Sequence, residues 1–267
     1  MSNVRISQSM GIRTIALNRP QKRNAFHAEM IAEITKAFKE VASDKQVRAV
    51  LLTAEGSTFC AGGDLEWMKS TIDYTAKQNL KDAERLFDMF WAIRSVPVPV
   101  VGRIFGHAFG GGAGLVSACD IVVAESGTQF CFSEVKWGLV PAVISPFVAE
   151  KVLPSRAREW FLTAKVFGCS EALSAGLIGF SGNMAEVDAE VEAILFRIRD
   201  TAPQAVRETK KLHQSFSSVS WKAVRTKVTK LIAARRVSEE GQSGLKAFVE
   251  KRNPQWSPPP YGAPAKI

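Results

Sequence analysis

Two periodicities divide the chain. In the first half, Thr14–Leu17 and Ala49–Thr53 are short β-type apolar runs that end in turn-forming segments, NRPQ and AEGS, and read as strands. Between them Met30, Ile34, Phe38 and Val41 recur at helical spacing and give one apolar stripe on an amphipathic helix. Leu80, Ala83, Phe87 and Phe90 form a second stripe. Pro97 and Pro99 end that helix, because a residue before proline is pushed out of the helical region, and a strand follows over Val98–Ile104. Next come a glycine-rich turn, a small-residue helix near Gly111–Ala118 and a strand over Asp120–Ala124. Strands alternating with helices predict an α/β architecture.

Beyond about Pro141 the strand signal nearly vanishes. Ser155–Thr163, Ala185–Asp200, Pro203–Gln214, Trp221–Arg236 and Glu239–Lys251 read as helices. Val224, Val228, Leu231 and Ile232 stripe the fourth of them. This pattern divides the chain into an α/β core over residues 1–200, carrying the active site, and a helical region over 201–267 that packs on the core and on neighbouring subunits. The tail WSPPPYGAPAKI is proline-rich and reads as extended.

Composition narrows the class. With 267 residues, 46% apolar and 23% charged, the chain can bury a sizeable core. No apolar run approaches the roughly 18 residues that span a bilayer, and MSNVRISQSMGIRT lacks the apolar centre of a secretory signal, so a cytoplasmic protein is expected. Cys60, Cys119, Cys131 and Cys169 form no C-x-x-C pair and have no His at zinc-ligand spacing; they read as reduced, buried thiols and no metal site is expected. A formal charge of +9 favours anionic partners, phosphates among them, although a solubilising surface explains it as well.

Three segments carry candidate chemistry. In FCAGGDLEWM, Phe59–Met68, a strand leads into Ala61-Gly62-Gly63-Asp64 and a helix begins. Paired glycines let a ligand approach the backbone closely, and Asp64 suits an N-cap, but an ordinary strand-to-helix turn would look the same. In GHAFGGGAGLVSACDI, Gly106–Ile121, Gly110, Gly111 and Gly112 precede a helix whose free N–H groups favour negative charge. The run is not the G-x-G-x-x-G dinucleotide fingerprint, and tight helix–sheet packing also explains its glycines. In FCFSEVKWGLVPAVISPF, Phe130–Phe147, Glu134 stands among Phe130, Phe132, Val135 and Trp137. Burial there would raise its pKa and make it an acid–base catalyst near neutrality; a solvated or salt-bridged glutamate is the alternative.

In this order and spacing the three segments resemble the crotonase (enoyl-CoA hydratase/isomerase) superfamily. The resemblance runs from LNRPQKRNAF, Leu17–Phe26, to LKAFVEKR, Leu245–Arg252, nearly the whole chain. The set DLEWMK, GGGAGL and FSEVKWGLVPAVISPF is most similar to bacterial 3-methylglutaconyl-CoA hydratases of leucine and terpenoid degradation. The resemblance implies a spiral of ββα units, an acyl-CoA thioester substrate, no cofactor beyond the coenzyme A of that substrate, and a homotrimer or dimer of trimers. It implies that the backbone N–H groups of Gly63 and Gly111 hold the thioester oxygen and that Glu134 moves a proton. Further implied contacts to coenzyme A or acyl group are Gln21, Lys22, Arg23, Ala61, Gly62, Asp64 and Leu65, with Phe248 and Lys251 meeting the nucleotide of a neighbouring subunit's ligand.

One position departs from the family. Hydratases of this kind use two glutamates, and the first falls at Gly114, which has no side chain. A single-glutamate isomerase therefore competes with the hydratase. Within hydration, Ser117, Ser133 or a substrate carboxylate would have to hold the water, and a glycine would leave room for a branched or carboxylated acyl chain. Such a carboxylate needs a cation, and Lys69, Arg85 and Lys136 are the candidates. A third reading, RNA binding, rests on Arg207, Lys210, Lys211, Lys222, Arg225, Lys227, Lys230, Arg235 and Arg236; only Phe216 and Trp221 supply aromatics there, which makes nucleic acid an unfavoured partner.

Overall fold

The structure is a computed structural model and describes residues 2–215 and 220–256. Phe216 and the proline-rich tail beyond Trp256 lie outside the described residues. The strands are β1 (Val4–Ser9), β2 (Ile12–Leu17), β3 (Ala49–Ala54), β4 (Val100–Ile104), β5 (His107–Phe109), β6 (Ile121–Glu125), β7 (Gln129–Cys131), β8 (Phe167–Gly168) and β9 (Phe180–Gly182). The helices are α1 (Ala28–Ser43), α2 (Leu65–Ser70), α3 (Ala76–Ser95), α4 (Gly111–Ala118), α5 (Ser145–Ala149), α6 (Pro154–Thr163), α7 (Cys169–Ser174), α8 (Met184–Arg199), α9 (Pro203–Ser215), α10 (Trp221–Val237) and α11 (Glu239–Val249).

Six strands form one sheet in the order β1-β2-β3-β4-β6-β9; β1 pairs antiparallel with β2 and the rest are parallel. The hairpin between β1 and β2 turns through Met10 and Gly11, both at positive φ (48° and 78°), as a two-residue loop requires. The middle strands β3 and β4 are mostly apolar and mostly buried, as parallel strands between helices are, with Arg103 of β4 reaching out to Asp188. A second sheet, β5-β7-β8, stands apart. Twice the chain places one strand in the large sheet, one in the small sheet and then a helical turn: β4, β5, α4, and β6, β7, the 3-10 turn Glu134–Trp137. This is the expected ββα spiral.

Sequence patterning missed β1, the two-to-three-residue strands of the small sheet, and β9, which lies where the strand signal had faded yet closes the edge of the large sheet. The expected strand into Ala61 is an extended stretch with one parallel bridge, Cys60 to Ala108, rather than a strand. All four cysteines are buried and unpaired. Among the described residues no helix is long and apolar enough to cross a membrane.

The C-terminal helices cover the core's open end. Trp221 of α10 packs between Trp91 and Phe147, each 5.1 Å away, with the Arg94 guanidinium 4.3 Å above its ring. Much of the basic run is consumed in this docking. Arg207 donates to the Val47 carbonyl, Lys210 pairs with Asp120, Arg225 with Asp88, Arg235 with Glu240, and Arg236 with Asp82. These five side chains hold helices in place, which removes most of the observation behind the RNA reading.

The last helix, α11, lies directly on the turn after Glu134. A Cβ at Gly244 would fall 2.2 Å from the Trp137 carbonyl oxygen, and one at Gly138, already at φ +68°, would fall 2.6 Å from that of Glu240. Helix propensity alone would make Gly244→Ala stabilising by up to ~1 kcal/mol. The backbone collision outweighs it, because the obstacle is a carbonyl rather than a movable side chain. Gly244→Ala is therefore expected to destabilise the protein by about 1–3 kcal/mol, measured by urea denaturation. A stabilised variant would show that α11 is not seated on this turn.

Candidate active site

Two glycine turns meet backbone to backbone. Cys60 N donates to the His107 carbonyl and Phe109 N to the Cys60 carbonyl, both at 3.0 Å, so residues 60–63 run beside the small sheet. On the other side, Phe26 N donates to the Gly62 carbonyl and Asp64 N to that of Phe26, both at 2.9 Å. A Cβ at Gly62, whose φ is +95°, would sit 2.8 Å from the Phe109 carbonyl oxygen and 3.8 Å from the Gly111 nitrogen. One at Gly112 would sit 2.4 Å from the Cys60 carbonyl oxygen. Only glycine permits this approach.

The arrangement leaves two N–H groups over. Among the described residues neither Gly63 N nor Gly111 N donates to a protein acceptor. Both residues line the same cavity of about 320 Å³. Gly111 opens α4, where the first N–H groups have no partner within the helix and the dipole favours negative charge. Across its back, a Cβ at Gly111 would strike the Phe26 ring at 2.3 Å, so Phe26 fixes that glycine from behind.

Glu134 begins a 3-10 turn, Glu134–Trp137, whose walls also reach the cavity. Its Oε1 is 3.7 Å from the Cβ position of Gly110. The residue as a whole is half-buried, but Oε2 is shut off from solvent and has no hydrogen-bond partner. Loss of hydration is the dominant influence and pushes the carboxyl up to about 7, against a weaker backbone hydrogen bond within the same residue that pulls it down. Among the described residues that line the cavity, Glu134 is the one carboxylate.

Of the other expected site residues, Ala61, Gly62 and Phe248 line the cavity. Phe248 packs edge-on against Trp137 of its own chain at 4.5 Å, so it serves this chain's cavity rather than only a neighbour's. Gln21, Lys22 and Arg23 are exposed in a turn that touches the site through the Arg23 carbonyl, which accepts from Ala61 N at 3.0 Å. Asp64 stands behind the wall: it caps α2 through Glu66 N and Trp67 N and pairs with Arg19 at 3.1 Å. Those contacts hold its carboxyl below the usual range even though burial opposes them. Leu65 and Lys251 are exposed and outside the cavity wall.

Gly114 needs a correction. It does not border open space. A Cβ there would fall 2.5 Å from Ile144 Cγ2 and 3.0 Å from Phe90. The room that the missing glutamate would occupy is filled by an alkyl and an aromatic side chain, so the glycine does not enlarge the pocket. Among the proposed water holders, Ser117 is buried and donates to the Ala113 carbonyl at 2.8 Å, whereas Ser133 lines the cavity. Among the proposed cations, Lys69 and Arg85 lie off the cavity wall and Lys136 is exposed at it. Arg236, assigned earlier to the basic run, lines the cavity. The signal was present in the sequence: Val228, Ile232 and Arg236 recur at four-residue spacing, which puts the arginine on the buried face of α10.

A family model described as enoyl-CoA hydratase/isomerase matches residues 7–259. The chain belongs to that family, within the crotonase superfamily. An enoyl-CoA hydratase structure from Shewanella pealeana superposes with a TM-score of 0.79 at 36% identity, covering 96% of each chain. One from Mycobacterium avium gives 0.85 at 29% identity, covering 96% of this chain and all (100%) of that one. A mitochondrial enoyl-CoA hydratase domain-containing protein 3 of Xenopus laevis is 27% identical over 94% of this chain and 85% of its own length. The protein is thus an enzyme of enoyl-CoA hydratase type with an acyl-CoA substrate.

Glu134→Gln keeps the shape and removes the titrating group. Turnover is expected to fall by ~10² or more. Stability should move oppositely. A carboxyl raised from 4.5 to about 7 costs the folded state nothing when protonated; the cost grows as pH rises from 4.5 to about 7 and is then constant, on the order of 3 kcal/mol. Denaturation at pH 8 should therefore find Glu134→Gln more stable than the parent, with the difference gone near pH 4. Normal turnover, or a stability difference independent of pH, would remove Glu134 from this role.

Proposed function

We propose that the enzyme adds or removes water across the 2,3 bond of a branched enoyl-CoA, of which 3-methylglutaconyl-CoA is the leading candidate. The observation that supports this reading best is the lone Glu134 carboxyl, poised near neutrality beside two unoccupied backbone donors. The thioester oxygen accepts hydrogen bonds from Gly63 N and Gly111 N. Attack of water at C3 pushes electrons onto that oxygen, and the two donors stabilise the enolate. Losing one such donor costs ~3–4 kcal/mol in related acyl chemistry. Glu134, as carboxylate, takes the proton from water while the C3–O bond forms and returns it to C2. Ser133 or the substrate's own carboxylate holds the water.

Gly114 favours a second reading. With Ile144 and Phe90 packed over it, no second carboxylate lines the cavity among the described residues, and a single glutamate suffices to shuttle a proton between C2 and C4 of a 3-enoyl thioester. One spectrum separates the two: hydration of a 2-enoyl thioester removes the conjugated absorbance, and isomerisation to it creates that absorbance. For the hydratase, kcat/KM for 3-methylglutaconyl-CoA is expected to exceed that for crotonyl-CoA at least tenfold, about 1.4 kcal/mol. Equal values would reject the branched substrate.

For assembly we propose a trimer or a pair of trimers. The reading rests on the resemblance to the family; Leu162, Phe196 and Leu231, exposed apolar side chains on three different helices, are candidates for that interface. Light scattering at micromolar concentration should give a multiple of three chains; a stable monomer would sink this assembly.

A further inference from the structure

The cavity has a second polar corner that the proton transfer does not use. Arg236 and Trp67 both line it, and each is only 8% exposed. The Arg236 guanidinium lies 5.7 Å from the Trp67 ring centroid, and the Trp67 ring lies 3.3 Å from the Cβ position of Gly63. The corner therefore adjoins the oxyanion donors. A guanidinium carries five N–H donors. One of them, on Nη1, reaches Asp82 Oδ2 at 2.6 Å; among the described residues no other hydrogen bond of this guanidinium is formed. Donors held at the wall of a largely apolar cavity are satisfied when a ligand supplies an acceptor.

We propose that Arg236 binds a carboxylate at the far end of the acyl chain, which makes the enzyme selective for ω-carboxylated acyl-CoA thioesters. The proposal rests on the acyl-CoA reading of this cavity and replaces Lys69, Arg85 and Lys136 as the cation. Asp82 belongs to the device. It orients the guanidinium through one N–H and leaves the remaining donors to the substrate, and the pair buries no net charge in the empty site. The substrate carboxylate replaces hydration with charge-assisted hydrogen bonds, which are shorter and roughly twice as strong as neutral ones. A neutral acyl chain of equal length leaves these donors unpaired and binds less well for that reason.

Two saturated, unreactive ligands test this without any turnover: glutaryl-CoA, which ends in a carboxylate, and pentanoyl-CoA, which ends in a methyl group on the same five-carbon chain. Calorimetry on the full-length protein is expected to show glutaryl-CoA binding at least tenfold more tightly. Arg236→Met should bring that ratio below two. Because Arg236→Met strands Asp82, the pair variant Asp82→Asn/Arg236→Met is measured beside it, with a buried charge no longer left over. It too should lose the ratio. A parent protein without preference, or a preference that survives in the folded pair variant, overturns the proposal. The reaction is judged separately: if glutaryl-CoA is preferred but neither spectral change occurs with 3-methylglutaconyl-CoA, the carboxylate corner stands and the hydratase reading falls.

Discussion

Everything at the site depends on two stretches of backbone approaching closer than side chains allow. Residues 60–63 and 107–112 are hydrogen-bonded to each other, and the glycines at 62 and 112 leave carbonyl oxygens where a Cβ would be. This contact aims the N–H groups of Gly63 and Gly111 into one cavity. Peptide N–H groups held in packed backbone are preorganised, which is the condition for stabilising charge that develops beside them. Phe26 maintains the arrangement from behind, through its own hydrogen bonds to the 62–64 turn and its ring against Gly111.

Around that fixed pair the remaining walls are apolar, and this decides the chemistry of Glu134. A carboxyl in water would be fully ionised at neutral pH and a weak base. Deprived of solvent at Oε2, the same group holds and releases a proton near pH 7. The helical C-terminal third supplies part of the enclosure: Ile232 and Arg236 from α10 and Phe248 from α11 line the cavity. The positive charge that first suggested a nucleic-acid surface is largely the set of pins that attaches these helices.

The large elements were legible because their signals are periodic. The stripe Met30, Ile34, Phe38 and Val41 is buried on α1 as expected, and the expected C-terminal helices appear within a residue or two. The small sheet was not legible, since strands of two or three residues are too short to show an alternation, and β9 is fixed by pairing with β6 rather than by its own composition. Gly63, Gly111 and Glu134 could be singled out through their motifs and their resemblance to a known family. Gly114 shows the limit of that reasoning. A missing side chain suggests an empty space, but whether the space is empty depends on Ile144 and Phe90, which approach it from other elements. Arg236 shows the converse: read as one charge in a basic run, it acquires meaning only from its place on the buried face of α10.

The seat of α11 on the Glu134 turn has a bearing on how the protein is made. The Gly63 and Gly111 N–H groups and the Glu134 carboxylate are all present once residue 134 has been synthesised, yet the turn that carries the carboxylate is covered by Gly241 and Gly244, more than a hundred residues later. Until α11 docks, the wall formed by Trp137 and Phe248 is incomplete. The reactive groups are thus in the growing chain well before the segment that closes the cavity around them.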